Sequence, residues 1–313
     1  MSKEKNKLEE LEKQLGLNRT PNEKKDIISS GSIGLDLALG NGGFMVGKIV
    51  EAFGDFSSGK STSTLHLIKE AQARFPDKKV ALLDYENSFD AAYAQSVGVD
   101  IDSLIIYQPT TMEQGYNMAI KLVENEIVSV IVIDSHTAAT PQKVLDGEIG
   151  DATIGLAARL NSTFLSKIKG ELNKHNVLLF AISQLRSNIG GYGAAETTTG
   201  GNAWKFYSDI RLRFQKSVDK DKELSETTIT VVKNKCAVPF KQAKINILWG
   251  KGYDTLGELI DIGIQAGFII KGGAWLTYGE TKIQGKEKFK ELLEDNPDFL
   301  NEIKEKVNNY LYA

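Results

Sequence analysis

Short apolar runs alternate with amphipathic stretches from Ile27 to about Trp249. Runs that short and that continuously apolar suit strands covered on both faces, and the amphipathic stretches between them supply the cover. The pattern predicts strands at Ile49–Phe53, Val80–Asp84, Leu104–Tyr107, Val128–Asp134 and Val177–Ser183. Helices are predicted between them at Ser61–Arg74, Met112–Glu126 and Ile154–Asn173. Strand–helix alternation of this kind means an α/β fold with a mainly parallel central sheet. After residue 205 the period changes to two, at Ile210–Phe214 and Thr228–Val231, and Ile245–Trp249 follows, so antiparallel strands should finish the sheet. From Tyr253 the chain becomes a Gly-punctuated α/β segment ending in charged helices near Lys286–Glu294 and Phe299–Tyr310, which reads as a small separate domain. At the other end, Leu8, Leu11 and Leu15 make a thin apolar stripe on a charged helix over Lys3–Gly16, which needs another surface to cover it. Asn18–Lys25 reads as a linker.

Bulk composition narrows the class. The chain has 313 residues, 41% hydrophobic and 25% charged, and a net charge of −3, as an ordinary globular protein does. That charge argues against a uniformly basic surface, so a nucleic-acid partner would need a local site. No apolar run is long enough for a membrane span and the N-terminus is charged. The single cysteine, Cys236, rules out an internal disulfide framework or a cysteine zinc site and fits a reducing cytoplasm. The three histidines, His66, His136 and His175, have no metal-ligand spacing and are expected in packing or on the surface.

The chemistry centres on Gly54-Asp55-Phe56-Ser57-Ser58-Gly59-Lys60-Ser61, followed by Thr62. This is the phosphate-loop pattern G-x-x-x-x-G-K-[ST], with a predicted strand before it and a helix after it. Gly54 and Gly59 allow the tight turn that points successive N–H groups, including those of Ser57 and Ser58, at phosphate oxygens. Lys60 would neutralise the β- and γ-phosphates, and the Ser61 hydroxyl would complete a Mg²⁺ shell. Asp134, closing the run Val130–Ile133, suits the carboxylate that holds the Mg²⁺ water shell; the alternative is a polar strand end. Glu86 follows the strand Val80–Asp84, and there it would either polarise the attacking water or be a solvated loop residue.

Other features admit two readings. Lys233 and Lys235, two apart on a predicted strand, would share a face, as a phosphate clamp or as lysines guarding a sheet edge. Two Gly-containing segments follow core strands, Gly147–Gly155 and Gln184–Asn202. The second is too long and polar for a tight connection. Its amides, hydroxyls and Arg186 suit a phosphodiester backbone, with Ile154 or Ile189 as wedges between bases; a mobile loop is the alternative.

Taken together, these stretches closely resemble the bacterial RecA recombinase family, almost continuously from about Ile28 to about Asn309. Ser30–Gly40, Gly147–Arg159, Glu196–Tyr207, Val232–Phe240 and Gly272–Trp275 carry the likeness, with Thr197–Ala203 and Val232–Lys235 close to family signatures. The resemblance implies a RecA-like ATPase core over 27–250 with two DNA-binding loops, a C-terminal α/β domain over 251–313, and an N-terminal docking segment over 1–26. It places Glu86 at the catalytic glutamate, Asp90 and Tyr93 at adenine contacts, and Gln184 at the γ-phosphate sensor rooting the second loop. Lys233 and Lys235 match a pair that reaches the neighbouring subunit's ATP, and Phe206 falls at an intersubunit contact. Ile154, Arg159, Arg186, Ile189, Thr197, Gly200 and Gly201 fall at DNA contacts.

The implied activity is a DNA-dependent ATPase, using ATP and Mg²⁺, that forms a helical filament on single-stranded DNA and exchanges strands with homologous duplex. Two rivals share the core: a ring-forming helicase motor, against which the C-terminal domain argues, and a nucleotide-gated filament without turnover, against which Glu86 and the lysine pair argue. Departures from the pattern include Ser166 and Asn188 at two cationic DNA-contact positions and Asp55-Phe56 in place of the usual Pro-Glu. The second loop looks one residue short, the N-terminal arm is shorter, and no acidic tail is expected because the chain stops at Ala313. A compact, divergent member such as a phage would carry fits these departures.

Overall fold

A computed structural model describes the backbone of residues 25–148, 155–187, 196–198, 201–217 and 224–312. The predicted N-terminal helix lies outside the described residues. In chain order the elements are β1 (Ile27–Ile28), α1 (Ile33–Leu39), β2 (Phe44–Met45), β3 (Ile49–Gly54), α2 (Lys60–Arg74), β4 (Lys79–Asp84), α3 (Ala91–Val97), β5 (Leu104–Tyr107), α4 (Met112–Glu124), β6 (Val128–Asp134), α5 (Gln142–Asp146), α6 (Leu156–His175), β7 (Leu178–Ser187), β8 (Glu196–Thr198), α7 (Ala203–Tyr207), β9 (Ile210–Ser217), β10 (Leu224–Asn234), β11 (Gln242–Leu248) and β12 (Gly252–Tyr253). The chain then continues through α8 (Thr255–Gln265), β13 (Ile270–Gly272), β14 (Trp275–Tyr278), β15 (Thr281–Gln284), α9 (Lys286–Asp295) and α10 (Pro297–Tyr312).

The central sheet runs β12-β11-β10-β9-β3-β7-β6-β4-β5, with β8 added to β7. Its pairs from β9 to β5 are parallel, and β10, β11 and β12 attach antiparallel, as the change of period requires. Successive strand residues feed opposite faces. Val50, Val130, Val132 and Phe180 join the core under α2, while Ile49, Ile131, Ile133 and Leu179 join the core under α4 and α6. That is why the parallel strands read as unbroken apolar runs rather than alternating ones.

Two short helices, too brief for a long apolar period, were not among the predicted elements and are set by their caps. Ser32 caps α1 through its side chain and Gly40 ends it in the left-handed region. Asp90 and Gly98 do the same for α3. Beyond β12, a third core gathers Leu259, Ile260, Leu276, Phe289, Leu293, Ile303 and Val307, with Ile33 of α1 packed against it. Glu258 of α8 joins this unit to α1 by accepting from Ser32 Oγ at 2.8 Å, Ile33 N at 3.0 Å and Gly34 N at 2.8 Å.

Beside that joint, Asp36 is only 7% exposed, and burial lifts its carboxyl to about 6 despite bonds from Ser29 and Ser30. Its folded pKa lies above the unfolded value of 3.8. The native state therefore holds a proton that the unfolded chain has released, and this group's contribution to stability falls as pH rises from about 4 to about 6. Asp36→Asn should flatten that part of the profile, narrowing the wild-type loss by an amount on the order of 2 kcal/mol in denaturant titrations at pH 4.5 and 6.5.

Candidate nucleotide and DNA site

Strand β3 delivers the phosphate loop from a fully buried position. Gly54 passes so close to β9 that a Cβ there would stand 2.1 Å from Phe214 O, and Gly59, at φ +87, would meet Ile247 Cδ1 at 2.4 Å. Glycine is thus demanded at both ends by packing as well as by backbone angle. Ser57 is itself held at positive φ. The turn is pinned internally, with Ser58 Oγ donating to Asp55 O at 2.7 Å, and externally by Thr227 Oγ1 donating to Ser58 O at 3.1 Å. Lys60 opens α2 and its Nζ donates to Gly54 O at 2.9 Å and Asp55 O at 2.6 Å. Burial lowers its pKa, opposed by Asp134, Asp55 and Glu86.

The acidic side of the site comes from neighbouring strand ends. Register sets Asp84 beside Asp134 and Gly54 beside Gln184; the first three close the carboxyl ends of parallel strands, where open α/β sheets bind ligands, and Gln184 ends the parallel part of β7. Ser61 Oγ donates to Asp134 Oδ2 at 3.3 Å. Burial, and then the charges of Glu86 and Asp84, raise the Asp134 carboxyl to about 7. Glu86 is exposed, and its Oε1 accepts from Gln184 Nε2 at 2.6 Å across 98 positions of sequence. Gln184 N in turn donates to Thr137 Oγ1 at 3.1 Å.

Beside the loop lies a cleft of about 470 Å³ lined by Ser57 to Thr62, Asp90, Tyr93, Ser225 and Ile247 to Gly250. Thr62 Oγ1 and Tyr93 OH are 2.9 Å apart, and Asp90 accepts from Tyr93 N at 3.0 Å as the cap of α3. The buried Ser225 hydroxyl in this cleft has no hydrogen-bond partner among the described residues. Trp249, 64% exposed, forms the far wall with Lys216 Nζ 5.4 Å from its ring centre. Trp249 was not among the expected site residues because it stands at a turn directly after β11, with no motif around it.

Comparison with known proteins fits this geometry. The RecA N-terminal domain model matches residues 4–254 and the RecA C-terminal domain model residues 257–312. The chain is 44% identical to Protein RecA of Marinobacter nauticus, over 97% of this chain and 90% of that protein. Protein RecA of Porphyromonas gingivalis is 43% identical over 96% and 91%, and that of Streptomyces avermitilis 44% over 97% and 83%. The chain belongs to the bacterial RecA family. It is accordingly a RecA recombinase and a DNA-dependent ATP hydrolase, with the α/β core and small C-terminal unit of that family. Among the described residues no helix is long and apolar enough to cross a membrane.

Among the described residues, the other positions expected to contact DNA stand in two places. Gly201, at φ +83, packs on α6 so closely that a Cβ would meet Ala158 Cβ at 2.7 Å; Arg159, next along that helix, is exposed, as is Ser166. Arg186 and Thr197 stand opposite each other in the β7–β8 pair. Ile154, Ile189, Gly200 and Asn188 lie outside the described residues.

The lysine pair needs a correction. The expectation was two lysines on one strand face, but β10 carries a register shift between Val231 and Lys233 and ends at Asn234. Lys235 lies just past the strand, its amide still bonded to Asp209 O at 2.9 Å. The two ammonium groups also take separate partners. Lys233 Nζ donates to Lys205 O at 2.7 Å and Phe206 O at 3.1 Å, whereas Lys235 Nζ is 3.6 Å from Asp209 Oδ1. Burial and the neighbouring Lys235 and Arg211 lower the Lys233 pKa. Asp209 also accepts from Ile49 N, at the start of β3. The phosphate loop leaves the other end of that strand, roughly 16 Å away.

Proposed function

We propose that this chain assembles as a helical filament on single-stranded DNA, that each ATP is gripped between two adjacent protomers, and that this grip orders both DNA loops for pairing with homologous duplex. The observation that carries the reading is the separation just described: Lys233 and Lys235 stand at the opposite end of the sheet from their own phosphate loop, so they serve a phosphate only if another copy presents it. Phe206, 72% exposed beside Lys233, supports a protomer contact at that end. In this reading residues 27–250 are the ATPase core with both loops, 251–313 a small α/β domain and 1–26 a docking arm, working in the cytoplasm.

Within one protomer the roles follow from position. Amides of Gly54 to Ser61 cradle the phosphates and Lys60 turns from the loop carbonyls to the β- and γ-oxygens. Thr62, Asp90, Tyr93 and Trp249 enclose the base and sugar. Among the described residues no three carboxylate, imidazole or thiol side chains form a self-contained metal cage. The oxygen donors Ser61 and Asp134, beside Asp84 and Glu86, instead suit a hard divalent ion shared with phosphate. Mg²⁺ held there through water would supply charge neutralisation on the β- and γ-phosphates. Glu86 orients the attacking water and takes its proton, while Gln184 exchanges its bond to Glu86 for one to the γ-phosphate and so reports nucleotide state to the second loop. The loop residues Ile154, Arg159, Arg186, Ile189, Thr197, Gly200 and Gly201 contact DNA.

Purified protein should exchange strands between circular single strands and homologous linear duplex in the presence of ATP and Mg²⁺, and oligonucleotide should accelerate its ATP hydrolysis. A monomer whose hydrolysis ignores oligonucleotide would contradict the reading. Trp249→Ala should raise the ATP concentration giving half-maximal rate about tenfold through lost stacking, with the saturated rate little changed.

A further inference from the structure

A buried polar and aromatic cluster joins the two sides of the proposed mechanism. His136 follows Asp134 by two residues and is fully enclosed; its ring stacks on the Trp204 indole, centres 4.5 Å apart and planes within 17°. Ser183 Oγ donates its one proton to Glu51 Oε1 at 2.8 Å, so at the 2.5 Å contact with His136 it accepts, and the imidazole carries its proton on Nε2. Arg211 Nε completes the row by donating to Glu51 Oε2 at 2.5 Å. On the other side of the stack, Trp204 Nε1 donates to Asn161 Oδ1 at 3.1 Å, and Tyr116 OH donates to the same oxygen at 2.6 Å.

The placement of these groups matters more than their number. Ser183 immediately precedes Gln184, at the entry of the second loop. Trp204 follows Gly201 and Asn202, at its exit. Asn161 lies one turn along α6 from Ala158, the residue on which Gly201 rests, at the exit of the first loop. His136 lies between Asp134 and Thr137, whose hydroxyl accepts from Gln184 N. One packed unit therefore touches the metal-side carboxylate segment, the γ-phosphate sensor and the roots of both loops. Buried networks of this kind have few alternative arrangements, because breaking any bond leaves a polar group unpaired.

We propose that the His136–Trp204 stack, pinned by Ser183 and Asn161, is a positioning latch that transmits the state of the nucleotide to the roots of both DNA loops. His136 and Trp204 touch neither ATP nor DNA in this arrangement; they set where Gln184 and Gly201 stand. The proposal rests on the loops being the DNA site, as read above.

The test compares wild type, His136→Phe, Trp204→Phe and the double variant as full-length proteins, each checked by melting temperature. His136→Phe keeps an aromatic ring but loses the donor to Ser183, and Trp204→Phe keeps packing but loses the donor to Asn161. Each is read for ATP hydrolysis without DNA and for the oligo(dT) concentration giving half-maximal stimulation. The latch predicts a DNA-free rate within about twofold of wild type, a half-stimulating concentration raised about tenfold, and a double variant no worse than the worse single one. Single variants with wild-type oligo(dT) dependence, or effects that multiply in the double variant, overturn the latch while leaving the loop reading intact. A wild type insensitive to oligo(dT) removes the loop reading and the latch with it. If His136→Phe fails to fold, Trp204→Phe decides alone by the same two readouts.

Discussion

Lys60→Ala should lose ATP hydrolysis by about a thousandfold or more, the loss expected when a preorganised cation is withdrawn from a developing phosphate charge. Lys60 also holds its own loop through Gly54 O and Asp55 O, so part of the effect is structural. Two readouts separate the parts. Melting temperature without nucleotide reports the loop bonds, and nucleotide-induced stabilisation reports phosphate binding. The expected pattern is a modest change in the first and near-complete loss of the second. Lys60→Arg should not rescue, because a planar guanidinium cannot follow the same path between two carbonyls of a tight turn. Retained hydrolysis in Lys60→Ala would remove the loop from the chemistry.

Glu86→Gln should slow turnover by about a hundredfold to ten-thousandfold, the range for a general base, while ATP and DNA binding persist. The amide keeps an oxygen for the Gln184 contact, so the link across the site survives while the proton acceptor does not. Binding followed by fluorescent nucleotide and single-turnover hydrolysis distinguishes a chemical defect from an assembly defect. Turnover near the wild-type rate in this variant would take Glu86 out of the mechanism.

How much of this was legible in the sequence depends on how local each feature is. The phosphate loop, the strand before it and the helix after it lie within one short stretch, and buried parallel strands announce themselves as apolar runs such as Val128–Asp134. Strand Val177–Ser183 was found, but its continuation to Ser187 was not, because Gln184, Arg186 and Ser187, three of the four added residues, are polar. The residues alone did not show that Lys233 and Lys235 stand away from their own loop, which only the resemblance implied, since it depends on the antiparallel path of β10 across the sheet. The contact between Glu86 and Gln184, and the cluster around His136 and Trp204, unite residues from distant elements with no shared motif. His136 was expected in packing or on the surface, and it packs; what it packs against carries the information, and only the fold supplies that.

The grip between protomers is tested most directly by mixing two defective proteins. Glu86→Gln supplies intact lysines with a slow catalytic face, and a Lys233→Ala/Lys235→Ala double variant supplies an intact face without the lysines. If the site is shared, a one-to-one mixture on single-stranded DNA forms about a quarter of its head-to-tail interfaces with both parts intact, and hydrolysis rises well above the average of the two proteins alone. A mixture that hydrolyses ATP at only that average would contradict the account.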